Sequence, residues 1–555
     1  MDFCFQILNG SGYVHPIELA NSTNTLNPIL EGLLINRGGL KKLGAYLNHL
    51  DDSQRTCDRS DGTRVETIQS GIERIVERLT TKIARKESMF RGKIQHMGSY
   101  YDGLKVGAPD EFDFMFVLDQ FSHENGLQSI ALTNDPPGFA AMRILPENVP
   151  HEWPVTDYCL EHEQIIMIND AIVHRCRGER VKVLDPYQIQ NKYRHVADEV
   201  MLNINLPPNW CHGGFNRPHF SGHRRHGPAT LFQFVYKDGQ GEIKVTIDMT
   251  LAIRLRMGVD LSITEMSLLR RFPLGNQHFE MLLQHLQTDP GMHVIPLYSK
   301  FLIQAGHASK KYNWKVSGSC SEKIVFQSLS NLSLMKKLIR VLKILRDKHL
   351  TYYRRKTERK SNKHRRRTCA KTTSHSASRQ GTSSSVSEGV CQSVPASDGG
   401  EDEEDDTTDL TEVEDKNEEE ATLRYRNEAP SYQKNDIGFD VIDPKPGSGE
   451  YWGARHYISS VEIKTLVLSM LLGELKLANY DGRPIDYTAE ADDETLALLT
   501  VVSISFFNYL FIDRSQMKYL YFDTALCSLL SDMKTENARR ALHNIIEELL
   551  KNSKS

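Results

Sequence analysis

The sequence predicts an α/β fold, and three patterns carry the prediction. Apolar residues recur at helical spacing from Glu66 onward, two later stretches alternate polar and apolar as half-buried strands do, and helical spacing returns after residue 261. With 555 residues the chain has room for two or three domains and an ample core.

Residues 1–64 are of mixed composition, with Gly38-Gly39 and a polar stretch from Asp51 to Asp61, and carry no functional signature. The long helix that begins at Glu66 sets Ile68, Ile72, Ile75, Val76, Leu79 and Ile83 on one face and Glu73, Arg74, Glu77, Arg78 and Lys82 around the other. Strands of a core then run to about residue 260, giving a unit of 65–260. In Glu111–Val117, Phe112, Phe114 and Phe116 fall on one face of a strand and Glu111 and Asp113 on the other. Thr230–Tyr236 and Glu242–Asp248 read as partner strands around the turn signal Asp238-Gly239. Helices fill 261–350 and 437–555. The apolar run Leu496–Ile512 contains Thr500, Ser503, Ser505 and Asn508, so it reads as a buried core helix rather than a membrane span.

Glu111 and Asp113 follow a Gly98-Ser99 turn across the eleven residues 100–110. Two acids side by side on an otherwise apolar strand are costly unless a cation lies between them. Hard divalent cations prefer carboxylate oxygens and bring nucleotide phosphates with them, which points to a pair of Mg²⁺ or Mn²⁺ ions. The Gly-Ser turn offers close-approaching backbone N–H groups and a hydroxyl to a triphosphate. Asp248 closes the second alternating stretch and is the candidate third acid.

The stretches Gly98-Ser99-Tyr100-Tyr101, Ala108-Pro109 and Glu111-Phe112-Asp113-Phe114-Met115-Phe116 resemble the cyclic GMP-AMP synthase-like receptors, in the nucleotidyltransferase family that also holds cyclic GMP-AMP synthase and the Mab proteins. The resemblance extends through Asp248-Met249-Thr250-Leu251-Ala252, Trp314–Lys323, Leu334-Met335-Lys336 and Ser459-Ser460 with Lys464-Thr465, and covers roughly 65–350 and 437–555. It implies a bilobal nucleotidyltransferase fold: a twisted mixed sheet, a long spine helix ahead of the Gly-Ser motif, and a helical C-terminal lobe. It implies that Glu111 and Asp113 hold two metal ions and that Asp248 binds the catalytic one and helps activate a ribose hydroxyl. Nucleotide contacts fall on Gly98, Ser99, Lys315, Ser317, Ser319, Glu322, Lys336, Ser460 and Lys464. Lys315 stands where the family has Arg, Gly318 replaces an aromatic residue, and Val461 stands at the base-stacking Tyr. Whether Tyr457, four residues before Val461, takes over that role is left open.

An insertion spans 351–436. It opens with nine cations and one acid over Arg354–Arg367 and later carries thirteen acids and one Lys over Glu401–Glu420. Opposite charge blocks of low hydrophobicity predict disorder. These blocks contribute +8 and −12 to a net charge of −4, which leaves the rest of the chain near zero (−4 − 8 + 12). Any nucleic-acid site must therefore be local. The candidates are the cations of helix 334–348, with Lys337, Arg340 and Lys343 as the expected contacts, and the basic arm 354–367, which reads equally as a nuclear-localisation signal.

Nine scattered cysteines form no C-x-x-C pair, and the Met-Asp-Phe-Cys-Phe-Gln start lacks a signal-peptide pattern, so a cytoplasmic protein is expected. Relatives that sense DNA carry a zinc loop between the Glu-Lys and Leu-Met-Lys motifs, whereas Lys323–Met335 contains no Cys or His. Cys211, His212, His219, His223 and His226 fit no tetrahedral spacing, so no zinc is expected. The resemblance then implies a cyclic dinucleotide synthase acting on ATP and/or GTP. Double-stranded RNA or another polyanion is the expected activator, with ligand-induced oligomerisation and no membrane partner. The competing readings are a non-enzymatic Mab-type scaffold and a synthase of linear oligonucleotides.

Overall fold

The computed structural model describes residues 32–33, 36–55, 62–125, 127–132, 138–144, 159–162, 166–167, 181–213, 224–226, 228–256, 268–296, 314–355, 451–456, 458–474, 476–479, 481–513 and 532–554. Tyr457, His219, His223 and all of the insertion beyond Arg355 lie outside them; 351–355 form a strand. By internal packing the chain divides into one unit of 1–352 with 454–555 and a second of 353–453.

Helices α1 (Arg37–Gln54) and α2 (Gly62–Lys86) precede β1 (Gly92–Met97), the single turn α3 (Gly98–Tyr101) and β2 (Glu111–Leu118). Strands β3 (Leu127–Leu132), β4 (Phe139–Ile144), β5 (Cys159–His162), β6 (Ile166–Met167) and β7 (Val181–Leu184) lead into α4 (Pro186–Leu202). Next come β8 (Trp210–His212), β9 (Arg224–His226), β10 (Ala229–Asp238) and β11 (Gly241–Leu255). Helices α5 (Leu268–Arg271) and α6 (Gln277–Gln287) precede β12 (Met292–Pro296), β13 (Trp314–Ser317), α7 (Ser319–Gln327) and α8 (Leu334–His349). The last elements are β14 (Thr351–Arg355), β15 (Tyr451–His456), α9 (Ser460–Leu471), α10 (Asp493–Asp513) and α11 (Asp532–Lys554).

The sheet is mixed: β11 pairs parallel with β2 and antiparallel with β10 and β12, while β1 pairs antiparallel with β2. The alternation along 111–117 buries Phe112, Phe114 and Phe116 in the main core, as the period of two requires. The hairpin expected at Asp238-Gly239 closes with Asp238 opposite Gly241, and the Asp238 side chain accepts from the Gln240 amide.

Helix α2 begins four residues ahead of Glu66, because Arg64 forms a bidentate pair with Asp238, at 2.8 and 2.9 Å. That long-range contact anchors a first turn in which buried Val65 carries the apolar stripe back from Ile68. Its expected apolar face, from Ile68 to Ile83, is buried in the core. Gly71 sits where the Trp210 indole meets the helix, and a Cβ there would overlap the ring. Helix α10 buries Leu496–Ile504 and Phe507, as a core helix read from this run should, and no described helix is long and apolar enough to cross a membrane.

Helix α8 departs from the expectation. Every residue from Leu334 to Arg346 is buried, because α8 is enclosed by α1, α9, α10 and α11. Lys337, Arg340 and Lys343 therefore do not form a solvated face open to nucleic acid. Lys337 donates to Asn48 Oδ1 (2.7 Å), Arg340 pairs with Asp51, and Lys343 donates to the Leu104 carbonyl (3.0 Å). Their partners lie far away in sequence, so helical periodicity alone showed charge but not the acceptors that take it inside.

Candidate active site

The site is assembled by strand register. In the parallel pair β2–β11, Asp248 lies opposite Asp113 and Thr246 opposite Glu111; in the antiparallel pair β1–β2, Met97 lies opposite Asp113. Adjacent strands sit about 4.8 Å apart, so neighbouring residues on one face bring their side chains together. Ligand oxygens of Glu111, Asp113 and Asp248 all lie within 4.8 Å of one another. The glycine after Met97 is forced: Gly98 has φ +79°, and a Cβ there would overlap Asp113 Oδ2. The Gly-Ser turn is thus laid directly on the central carboxylate.

The three acids are electrostatically loaded. Burial first, then the like charges of Glu111 and Asp248, push the Asp113 carboxyl up to about 7, against partial relief from Lys464 and Lys105. Asp248 is buried, whereas the Glu111 side chain keeps 47% of its exposure. Lys105 bridges Asp110 (2.8 Å) and Glu111 (3.4 Å). Burial works against the Lys105 ammonium, but these two acids more than offset it and raise its pKa. An all-oxygen donor set whose central carboxyl is raised by burial and by its acidic neighbours fits hard divalent cations.

The other expected residues are partly gathered here. Lys464 on α9 is ion-paired with Asp102, which directly follows α3, and its charge is felt by Glu322 and Asp113 as well. Burial opposes the Lys464 ammonium, yet these acids hold its pKa above the usual lysine range. Lys336 is buried and donates to Asn331 Oδ1 (3.2 Å), and its Nζ lies 3.4 Å from where a Cβ on Gly103 would sit. Ser317 and Ser319 share a hydroxyl hydrogen bond of 2.9 Å at the β13–α7 junction. Below them Cys320 packs its sulfur on those of Met97 (3.6 Å) and Met115 (3.5 Å), which seats α7 under the Gly98 turn. Lys315 is half-buried in β13, in register with Ile295 and Phe139. Ser460 accepts from Arg346 (2.6 Å), and Ser459 forms a capping box with Glu462 at the start of α9. Val461 is 52% exposed, unlike its buried helix neighbours from Thr465 to Leu471.

Several neighbours were not read from the sequence. Asp102 is buried, and its Oδ1 has no hydrogen-bond partner among the described residues. Lys323 lies 5.9 Å from the Tyr101 ring centroid, and Tyr101 donates to Glu73 of α2 (3.2 Å). Tyr100 donates to Gln69 (2.9 Å), so α2 holds both tyrosines of the turn. Asp102 could have been noticed as a third acid beside the motif; the α2 contacts leave no local signal.

No family model matches the chain. Over 82 residues, 15% of each chain, it is 45% identical to the cyclic GMP-AMP synthase of Mus musculus. Over 107 residues it is 27% identical to a cyclic GMP-AMP synthase-like receptor of Ctenocephalides felis, covering 19% of this chain and 24% of that one. The matched stretches thus span less than a quarter of either relative's length. Over those short stretches the chain is similar to the cyclic GMP-AMP synthase family, which suggests a nucleotidyltransferase fold for its mixed α/β architecture.

Proposed function

We propose that this chain is a metal-dependent nucleotidyltransferase that joins two nucleoside triphosphates, ATP and/or GTP, into a cyclic dinucleotide in innate immune sensing, each ribose hydroxyl displacing pyrophosphate from the other nucleotide's α-phosphorus. The observation that carries the reading is the register of Glu111, Asp113 and Asp248 with Gly98 packed on the middle acid. Short-range similarity to a cyclic GMP-AMP synthase and a synthase-like receptor supports it.

Glu111 and Asp113 would hold two Mg²⁺ or Mn²⁺ ions and Asp248 one of them. Such ions neutralise triphosphate charge and ease deprotonation of an attacking hydroxyl. The chain's own residues do the rest. The Gly98-Ser99 turn cradles the triphosphate, Lys336 and Lys464 supply positive charge, and Asp248 orients the ribose hydroxyl and favours loss of its proton. Lys464 then exchanges Asp102 for phosphate oxygen. Ser317, Ser319, Glu322 and Lys315 read the bases and sugars, and Ser460 stands by the phosphates.

The activator in this reading is double-stranded RNA or another polyanion. With Lys337, Arg340 and Lys343 turned inward, the contact comes from other basic residues, of which the run Arg354–Arg367 is the densest in the sequence.

The test is to incubate full-length protein with labelled ATP and GTP, Mn²⁺, and double-stranded RNA, DNA or no nucleic acid. A cyclic product from wild type, absent in Glu111→Gln/Asp113→Asn, is expected, with the most product when RNA is present. A linear product would replace cyclisation with oligonucleotide synthesis. A wild type that binds nucleotide yet makes nothing under any condition would favour the scaffold reading.

A further inference from the structure

Three consecutive residues after the Gly-Ser turn are each held by a different cation, two of them buried and Lys464 half-buried. Lys464 pairs with the Asp102 carboxylate, Arg340 donates to the Gly103 carbonyl (3.0 Å) and Lys343 donates to the Leu104 carbonyl (3.0 Å). Arg340 is 0% exposed and spends the rest of its guanidinium on Asp51, at 2.6 and 2.7 Å, and on the Asn331 carbonyl at 2.9 Å. Asp51 is itself fully buried on α1, in the N-terminal segment that carries no functional signature. The end of α1 also touches the loop directly: Gly107 N–H donates to the Gln54 carbonyl (2.8 Å), and Arg55 bridges Val106.

A guanidinium has a fixed planar fork, so its donors cannot be re-aimed one at a time. With two of them locked on the Asp51 carboxylate, the direction of the donor to Gly103 is set by α1. Helix α2 anchors the turn at Tyr100 and Tyr101, and Lys464 and Lys343 hold Asp102 and Leu104; between them the Gly103 carbonyl takes its donor from Arg340, while the backbone N–H groups of Gly103 and Leu104 bond inside the turn, to the carbonyls of Tyr100 (3.1 Å) and Ser99 (2.7 Å).

We propose that Asp51 is a positioning residue for the nucleotide seat: through Arg340 it fixes the Gly98–Leu104 turn over Asp113, which makes α1 a working part of the site. The inference rests on reading that turn as the seat for a triphosphate.

The test uses full-length Asp51→Leu/Arg340→Met. Replacing a buried ion pair by apolar residues of similar volume is often neutral, which offsets the loss of a donor to the Gly103 and Asn331 carbonyls, so the variant should fold and melt within a few degrees of wild type. Amide hydrogen exchange across residues 98–107 should then quicken by about 10-fold or more, with β10 and β11 unchanged. Binding of ATP with Mn²⁺ should weaken by about 10-fold, while binding of Mn²⁺ alone stays as in wild type, because the acids are fixed by strand register. A role in stability alone would not separate those two affinities. If the double variant does not fold, Asp51→Asn, which keeps an acceptor, is read the same way and should give a smaller shift of the same sign. Wild-type exchange at 98–107 in a folded variant overturns the proposal. A wild-type protein that binds no nucleotide overturns the reading of the seat, and the exchange result still decides whether α1 holds the turn.

Discussion

Helices α2 and α8 present nearly the same pattern to a reader of the sequence, an apolar stripe with cations spread over the remaining surface. In α2 the cation at Arg74 stands in solvent and Arg78 reaches only the Asn205 carbonyl (2.8 Å). In α8 the cations at 336, 337, 340, 343 and 346 are all buried and all engaged. The difference teaches that amphipathic periodicity reports where apolar groups point, and is silent on whether the polar face meets water or a second layer of acceptors. Helices α1 and α9, the Gly103-Leu104 turn and the loop at Asn331 supply the acceptors around α8, whereas α2 packs on α4 and leaves its charged face outward.

The sharpest way to break this comparison is charge reversal on each helix. Arg340→Glu sets a second carboxylate against buried Asp51 and should lose about 4 kcal/mol or more, enough to unfold much of the chain. Arg74→Glu should stay within about 0.5 kcal/mol of wild type. Urea denaturation of both variants checks the pair, and equal losses would mean that α8 is not enclosed in solution.

Gly98→Ala is next in size. It places a Cβ in the Asp113 carboxylate at a positive φ, and should destabilise by about 1–3 kcal/mol. Metal-dependent transfer should fall by about 100-fold or more, since the clash is with a ligand oxygen. Melting temperature and product formation measured on one preparation separate the two effects.

The acids predict a smaller, pH-shaped effect. Asp113 has its carboxyl raised to about 7 in the metal-free fold, above its unfolded value of about 4. Its contribution to stability is therefore complete below about pH 4 and declines as pH rises towards 7. Metal binding needs the ionised form, so the Mn²⁺-induced rise in melting temperature should be slight at pH 5.5 and grow to several degrees at pH 8. Asp113→Asn should flatten that profile.

The smallest effect belongs to Lys343. Burial first, then Lys464, Arg346 and Lys105, pull its pKa down to about 7. A depressed lysine pKa favours the fold at high pH, and that advantage is lost as pH falls from about 10.4 towards 7. Lys343→Met removes the penalty and should raise the melting temperature at pH 7 by ~2–4 °C, with the gap to wild type closing above pH 10. A constant gap across that range would show that Lys343 is not buried as a free ammonium.

Much of the centre of the molecule was legible. The acid-apolar-acid strand, the Gly-Ser turn and the hairpin ending in Asp248 are local patterns, and period-two alternation states which face each acid shares. What failed to show were contacts across long separations. Arg340 and Asp51 are 289 positions apart, and Lys464 and Asp102 are 362 apart. Periodicity can place Lys343 on a helix face, but its acceptor is the Leu104 carbonyl, a backbone atom that every residue except its neighbours could equally have supplied. The same limit explains why the first turn of α2 was missed, since Arg64 is recruited by Asp238 from the far hairpin.

The notch at Gly71 has a practical consequence. The Trp210 indole occupies the space a side chain would take on α2, and packs on Tyr236 at 5.2 Å and Phe234 at 6.5 Å. Gly71 is flanked on the buried side by Ile68, Ile72 and Ile75, so a slide of α2 by one residue, about 1.5 Å, drives a larger group into the ring. The helix and the sheet are thereby keyed like a shaft and its slot. The same indole is one of four tryptophans in the chain, a built-in optical gauge of where α2 stands.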